Sequence, residues 1–219
     1  MNGNSGDIAV IGIGLNIANV TTLNDYWKLF DDNIDCIREI PEHRKQQIGD
    51  YARLFLKDDE SARYFLGSFL EYIDQFDNEF FRISPREAQT MDPVQRILLQ
   101  TIFHTFDDAG YTPEKLAGSQ TGIYIGYTSG AMKDNYFTNI MFAYPELLRY
   151  SIVGNMAPIL PSRASHLLDL HGPTMLIDTA CSASLVAVHE ACEAIRNQSC
   201  SMAVAGGIKS TCFRSLSKA

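Results

Sequence analysis

One cysteine stands where a nucleophile could work. Cys181 follows TMLIDTA, residues 174–180, which predicts a strand, and it precedes SASLVAVHEACEAIRN, residues 182–197, which predicts a helix. A thiol at that junction lies near the positive end of the helix dipole and the N–H groups of the first turn, and both favour the nucleophilic thiolate. The same N–H groups can hydrogen-bond the oxyanion of a thioester under attack. Position alone leaves a buried structural cysteine as an equal alternative.

The other cysteines favour packing roles. Cys192 falls on the apolar stripe of the predicted helix, and Cys200 begins a predicted strand; Cys36 and Cys212 complete the five. The chain has no Cys-x-x-Cys pair, and its N-terminus, MNGNSGDIAV, lacks the charged and apolar regions of a secretory signal. This pattern predicts reduced thiols in a cytoplasmic protein.

Three other kinds of site are disfavoured by spacing. Gly12 and Gly14 follow an apolar run, but Ile17 stands where a dinucleotide fingerprint needs its third glycine, so these glycines are interpreted as a strand end. The Gly-x-nucleophile-x-Gly pattern of α/β hydrolases is absent around Cys181. No metal site is predicted, because the histidines include no His-x-x-x-His pair and the cysteines do not cluster. The histidines are His43, His104, His166, His171 and His189.

Composition restricts the classes of function. The chain has 219 residues, 46% of them hydrophobic, which is enough to bury a core. Eighteen basic against 26 acidic residues give a net charge of −8, which argues against a general nucleic-acid or anionic-membrane binder. No apolar run reaches the roughly 18 residues that a membrane helix needs.

Strands and helices alternate along the chain, which predicts an α/β protein with a largely parallel sheet. Strands are predicted over residues 7–14, 121–127, 174–180 and 201–207. Helices are predicted over residues 23–32, 93–109, 113–116 and 182–197, with Thr22 and Asp92 as N-caps. The last helix carries an apolar stripe of Leu185, Val188, Cys192 and Ile195. The aromatic- and Met-rich residues 131–160 are interpreted as core or subunit contact, with the lining of an acyl pocket as the alternative.

Several segments resemble one family. GPTMLIDTACSASLVAVHEAC, residues 172–192, is similar to the active-site segment of β-ketoacyl synthases, and above all to the ketosynthase domains of modular polyketide synthases and animal-type fatty acid synthases. FDNEFFRISPREAQTMDPVQRILLQ, residues 76–100, DDAGYTPEKLAGSQTGIYIG, residues 107–126, and the later MAVAGG resemble the same family in the same order. The resemblance covers nearly the whole chain.

The resemblance implies a thiolase-like α/β fold, layered αβαβα, in which residues 1–219 form the first of two pseudo-symmetric halves. It implies that Cys181 accepts an acyl group and that its backbone N–H helps to bind the oxyanion. It also implies a homodimer and no bound cofactor, with substrates carried on the phosphopantetheine of an acyl carrier protein. A malonyl thioester then supplies the attacking carbanion by decarboxylation. The residues around the cysteine that support the motif are Asp178, Thr179, Ala180, Ser182 and Ser184.

The chain also departs from the family pattern. The two catalytic histidines of the family lie downstream, in His-Gly-Thr-Gly-Thr and Asn-x-Gly-His segments, and neither segment occurs in these 219 residues. Condensation is therefore expected to need the C-terminal half, in cis or in trans. GIGLNIANV replaces an Arg-Phe-Pro element, and Lys45 follows Arg44 where the family has tryptophan. A non-catalytic dimerisation or carrier-protein docking module is the alternative, and another thiolase-fold acyltransferase is a weaker one.

Overall fold

The computed structural model describes residues 6–18, 20–45, 66–128, 137, 140–141 and 144–209. The chain divides into two compact units, one of residues 1–14 and 74–210 and the other of residues 15–73 and 211–219. The helices with defined ends are α1 (Leu23–Asp31), α2 (Pro85–Thr90), α3 (Pro93–Asp108), α4 (Pro113–Leu116), α5 (Leu148–Asn155), α6 (Ile159–Leu167) and α7 (Ala183–Arg196). The strands are β1 (Thr121–Gly126), β2 (Thr174–Ile177) and β3 (Met202–Gly207).

The larger unit is built on a parallel sheet, as the sequence predicts. The strand order is β2-β1-β3, and both pairings with β1 are parallel. Every residue of β1 is buried because this central strand is covered on both faces. The two faces are covered by different kinds of side chain.

Large apolar residues fill the first face of the sheet. Ile123 and Ile125 of β1 belong to a buried cluster with Leu98, Ile102 and Phe106 of α3. The predicted start of α3 is confirmed: the Asp92 carboxylate accepts the N–H of Val94 at 2.8 Å, and Pro93 occupies the first turn. The end near Gly110 is confirmed as well, because this glycine has a φ of +77° just beyond the helix.

Alanines surround one large side chain, Tyr124, on the second face, where α7 packs. Ala187 and Ala191 lie against Tyr124 of β1, with Ala203 and Ala205 of β3 beside them. The predicted apolar stripe of α7 is on the opposite side: Leu185 is 74% exposed and Val188 is 45% exposed. The exposed end of the apolar stripe and the alanine face that meets the sheet are therefore different sides of α7. Because Tyr124 already fills part of this face and the strand glycines bring the helix close, α7 packs on the sheet through its smallest side chains, the alanines.

The predicted strand over residues 7–14 is not found. Val10 is 81% exposed, and the segment lies along α3, where the Ile13 N–H donates to the Asp108 carboxylate at 2.8 Å. A Cβ atom on Gly12 would lie 2.5 Å from the carbonyl oxygen of Thr105, so this glycine allows close approach to a helix rather than ending a strand. Among the described residues this extended segment has no neighbouring strand, so it has no ladder of backbone hydrogen bonds to join.

The smaller unit contains α1. The predicted N-cap is confirmed, since the Thr22 hydroxyl accepts the N–H of Asp25 at 3.2 Å. The large apolar side chains of this helix are not buried: Trp27 is 57% exposed, and its ring packs against that of Phe30 at 5.9 Å. In the parts of the chain that the structure describes, no helix is long and apolar enough to cross a membrane.

Candidate functional site

The carboxyl ends of the strands lie at one edge of the sheet. β1 ends at Gly126, which pairs with Ile177 of β2 on one side and Gly207 of β3 on the other. Cys181 comes soon after β2 and therefore lies at this edge. In open α/β sheets, ligands bind beyond the carboxyl ends of the strands. The sheet thus places Cys181 where proteins of this class carry their sites.

Two glycines let α7 begin directly against this edge. A Cβ atom on Gly126 would overlap the backbone of Ala183 and Ser184. A Cβ atom on Gly207 would lie 2.5 Å from the Cβ of Ser184. Because any side chain at these strand ends would displace the first turn of α7, both glycines fix the distance between the helix start and the sheet.

The segment between β2 and α7 is a tight turn. Ala180 has a φ of +54°, in the left-handed region that residues with a Cβ rarely adopt. Residues Ala180–Ser182 form one turn of 3₁₀-helix, and α7 begins at Ala183. The predicted boundaries are therefore wrong in detail, because a turn separates the two elements: β2 ends at Ile177, and α7 begins at Ala183.

The carboxylate of Asp178 joins this turn to β1. Its Oδ1 accepts the hydroxyl of Thr128 at 2.8 Å and the N–H of Ala180 at 3.3 Å. The Thr128 hydroxyl also lies 3.3 Å from the carbonyl oxygen of Ala180. Asp178 is a predicted site residue, whereas sequence reasoning missed Thr128. The available signal was a hydroxyl residue placed just past the end of a predicted buried strand.

Cys181 is exposed at the centre of this turn. Within the described residues, its backbone N–H has no hydrogen-bond acceptor. The N-cap residue of α7, Ser182, makes no capping bond and instead donates its hydroxyl to the Thr179 carbonyl oxygen at 2.8 Å. An uncapped and exposed helix start leaves amide groups available to an incoming oxyanion.

The structure brings the predicted site residues together. Asp178, Thr179, Ala180, Cys181 and Ser182 are contiguous and exposed around the turn. Ser184 is exposed in the first turn of α7, next to Gly207. In the described part of the chain, no group of three or more His, Cys, Asp or Glu side chains could hold a metal ion.

The other cysteines differ from Cys181 in their surroundings. Cys200 is 3% exposed at the start of β3, and burial raises the pKa of its thiol. Cys36 and Cys192 are half-buried. Cys212 lies outside the described residues. Among the described thiols, Cys181 alone is exposed, which agrees with the packing role predicted for Cys200.

The aromatic- and Met-rich segment lies only partly within the described residues. Tyr136 and Phe142 are outside them, and Phe137 is half-buried. Met141, Tyr144 and Met156 are exposed, so these three side chains do not form the predicted core. The alternatives of a subunit contact and an acyl-pocket lining stay predictions.

Comparison with known proteins assigns these features to one family. A family profile described as "Beta-ketoacyl synthase, N-terminal domain" matches residues 5–216. The orsellinic acid synthase of Armillaria mellea is 36% identical over 204 residues, which cover 92% of this chain and 9% of that protein. Polyketide synthase PksL of Bacillus subtilis is 37% identical over 215 residues, which cover 93% of this chain and 4% of that protein.

Solved structures have the same fold. The oxazolomycin ketosynthase domain of Streptomyces albus superposes with a TM-score of 0.73 at 31% identity, covering 93% of this chain and 35% of that chain. The ketosynthase from module 6 of the bacillaene synthase of Bacillus subtilis gives the same TM-score and identity, covering 94% of this chain and 31% of that one. The chain thus has the N-terminal part of a thiolase-like fold and spans about a third of these ketosynthases.

Proposed function

The chain belongs to the β-ketoacyl synthase family, and we propose that it is the acyl-accepting part of a polyketide-type ketosynthase, with Cys181 as the nucleophile. The observation that carries the proposal is the exposed Cys181 thiol on an uncapped helix start, with the backbone N–H of the same residue free of any acceptor in the described residues. Nucleophile and oxyanion donor then come from one residue. Neither group has to move into place before attack.

The proposed first step is a transthioesterification. The Cys181 sulfur attacks the carbonyl carbon of an acyl thioester held on the phosphopantetheine arm of an acyl carrier protein. The carbonyl oxygen becomes an oxyanion, to which the Cys181 N–H donates a hydrogen bond. Collapse of this intermediate breaks the carbonyl–sulfur bond of the carrier, whose thiolate leaves and takes up a proton. The acyl group is then bound to Cys181.

The proposed second step is a decarboxylative Claisen condensation. A malonyl thioester loses carbon dioxide, and the carbanion that forms attacks the acyl carbon on Cys181. The Cys181 thiolate leaves, and the product is a β-keto thioester two carbons longer. In the family, two histidines in downstream segments serve this chemistry, and neither segment occurs in these 219 residues. The proposal therefore assigns residues 1–219 to the N-terminal half of the domain, with a C-terminal half acting in cis or in trans.

The outer face of α7 supports this division. Leu185 is 74% exposed and Val188 is 45% exposed, on a helix whose alanine face already covers the sheet. Exposed apolar patches of this kind mark surfaces that another element covers. The full proposal includes a second copy of the chain as dimer partner and an acyl carrier protein as acyl donor. It also includes a cytoplasmic location, because a thiol nucleophile has to stay reduced.

Acyl transfer to the chain tests the proposal directly. The purified chain is incubated with a short acyl-coenzyme A or an acylated carrier protein, and the adduct is mapped by peptide mass spectrometry. We expect one acyl group, on Cys181. The buried Cys200 is an internal control, since its thiol is 3% exposed in the same chain. An adduct mainly on Cys36, Cys192, Cys200 or Cys212 would contradict the assignment, and no adduct at all would favour the docking-module alternative.

Condensation by the chain alone is the second test. With acyl and malonyl thioesters both supplied, we expect acylated Cys181 and no β-keto product, because the two histidine segments are absent from these residues. A β-keto thioester formed by the pure chain would show that other residues replace the histidines. Adding a separately expressed C-terminal half of a related ketosynthase is expected to restore condensation only if the two halves bind.

A further inference from the structure

Thr128 stands next to the proposed nucleophile without any role in the chemistry described above. It follows β1, and the residue before it, Tyr127, still pairs with β2 through a 2.9 Å hydrogen bond from its N–H to the carbonyl oxygen of Ile177. Thr128 is therefore attached to the central strand of the sheet. Its hydroxyl points to the turn that carries Cys181, at 2.8 Å from Oδ1 of Asp178.

The turn needs support because of its backbone conformation. Ala180 has a φ of +54°, and an alanine in the left-handed region is strained by its Cβ atom. Strained residues persist only where the surrounding structure holds them. Ala180 directly precedes Cys181, so its backbone angles set the direction of the Cys181 N–H and of the thiol.

The hydrogen bonds around Ala180 can hold this conformation. Oδ1 of Asp178 accepts the Ala180 N–H at 3.3 Å and the Thr128 hydroxyl at 2.8 Å. The Thr128 hydroxyl has one proton, which it donates mainly to the carboxylate at 2.8 Å and shares with the Ala180 carbonyl oxygen at 3.3 Å as a weaker acceptor. Both backbone polar groups of Ala180 therefore contact either Thr128 or the carboxylate that Thr128 binds.

We propose that Thr128 is a positioning residue: acting through Asp178, it holds Ala180 in the left-handed conformation and so orients the Cys181 N–H and thiol for acyl transfer. The part of this inference that concerns acyl transfer rests on the proposed function. The geometry itself can be tested without acyl transfer, because alkylation of Cys181 reports the same orientation and accessibility.

The experiment compares variants of the full chain at position 128. Thr128→Val keeps the shape and removes the hydroxyl, and Thr128→Ser restores a hydroxyl. Thr101→Val is the matched control, because the Thr101 hydroxyl donates within α3 to the Ile97 carbonyl oxygen at 2.8 Å. For each variant, the rates of Cys181 alkylation by iodoacetamide and acylation by acyl-coenzyme A are followed by peptide mass spectrometry over a range of pH. Alkylation of Cys36 serves as the internal reference.

We expect Thr128→Val to slow Cys181 acylation about tenfold or more, since small displacements of reacting groups have effects of that order. Thr128→Ser and Thr101→Val should stay close to wild type, and the Cys36 rate should not change. Equal Cys181 rates in wild type and Thr128→Val would overturn the proposal. So would a Thr128→Ser variant as slow as Thr128→Val, because a hydroxyl would then not be the active feature.

A second variant separates positioning from general stability. Glycine adopts a positive φ without strain, so Ala180→Gly in the Thr128→Val background should recover most of the lost Cys181 rate. A merely structural role for Thr128 predicts no such recovery, and a double variant as slow as Thr128→Val would overturn the inference.

If Thr128→Val fails to fold, the single variant Asp178→Asn replaces it, and we expect slower alkylation of Cys181 relative to Cys36. Wild-type chain that is alkylated but never acylated would instead refute the proposed function and leave the positioning test valid.

Discussion

The starts of α3 and α7 lie in the same unit of the chain and are built in opposite ways. At α3, the Asp92 carboxylate caps the Val94 N–H at 2.8 Å, Pro93 occupies the first turn, and residues 91–99 are all buried. At α7, no side chain caps the first turn and Cys181 is exposed. Ala180, in the turn before this helix, has a left-handed backbone conformation. We call the capped and buried start of α3 closed, and the uncapped and exposed start of α7 open.

The difference shows what each helix start can do. A capping side chain satisfies the first N–H groups of a helix, and an oxyanion can no longer reach the groups that it covers. The cap at α3 therefore contributes stability, and the N–H group that it binds is not available to a substrate. The start of α7 gives up that contribution, and the close contact with Gly126 and Gly207 holds it in place instead.

The largest expected effect comes from the thiol itself. Cys181→Ala should abolish acylation of the chain while the melting temperature stays near that of wild type, because the side chain is exposed and packs against little. Intact-mass spectrometry and thermal unfolding measure the two properties. A Cys181→Ala variant that still accepts one acyl group would show that the open helix start is not the reacting site.

The contact between β1 and α7 should give the next largest effect. Gly126→Ala would push the new Cβ into the backbone of Ala183 and Ser184, which we expect to lower the free energy of unfolding by about 3 kcal/mol and to slow alkylation of Cys181. Gly206→Ala is the matched control, since a Cβ at Gly206 meets nothing within 4 Å. Equal stability of the two variants in urea would mean that α7 does not need its close approach to the sheet.

Removing the cap of α3 should lower stability by a smaller amount and leave the reactivity of Cys181 unchanged. Asp92→Ala is expected to lower the free energy of unfolding by about 1–2 kcal/mol, the usual loss for an N-cap. Asp92→Asn keeps an acceptor for the Val94 N–H and should lose less. Cys181 should be alkylated at the wild-type rate in both. A marked change in Cys181 reactivity would show that the two helix starts are not independent.

The smallest expected effect is a pH dependence at the buried thiol. Burial raises the pKa of Cys200, so its neutral form is favoured in the folded chain. Its contribution to stability is fully present below the ordinary thiol pKa and is lost as the pH rises toward the folded value, because only the unfolded chain ionises there. Urea unfolding from pH 7 to 10 should therefore show a steeper loss for wild type than for Cys200→Ala. Parallel curves would mean that Cys200 does not titrate differently in the two states.

Local patterns in the sequence predicted most of the larger unit. The cap and start of α3, the strands β1 and β3, their parallel pairing and the position of Cys181 between a strand and a helix all follow from short stretches of residues. The strand predicted over residues 7–14 was wrong, and other exposed apolar residues show the reason. The segment 7–14, the outer stripe of α7 and the face of α1 are apolar, and apolar character does not say which partner covers it.

The amino-acid sequence determined the family and the α/β architecture and singled out Cys181 as the proposed nucleophile, because these depend on motifs and periodicity that are complete within a few neighbouring residues. Only the folded structure decided that α7 meets the sheet through alanines, that β2 stops at Ile177, and that Thr128 reaches Asp178 from a position 50 residues away. Such contacts depend on which strands become neighbours and how closely their backbones pack, and no local pattern carries that information.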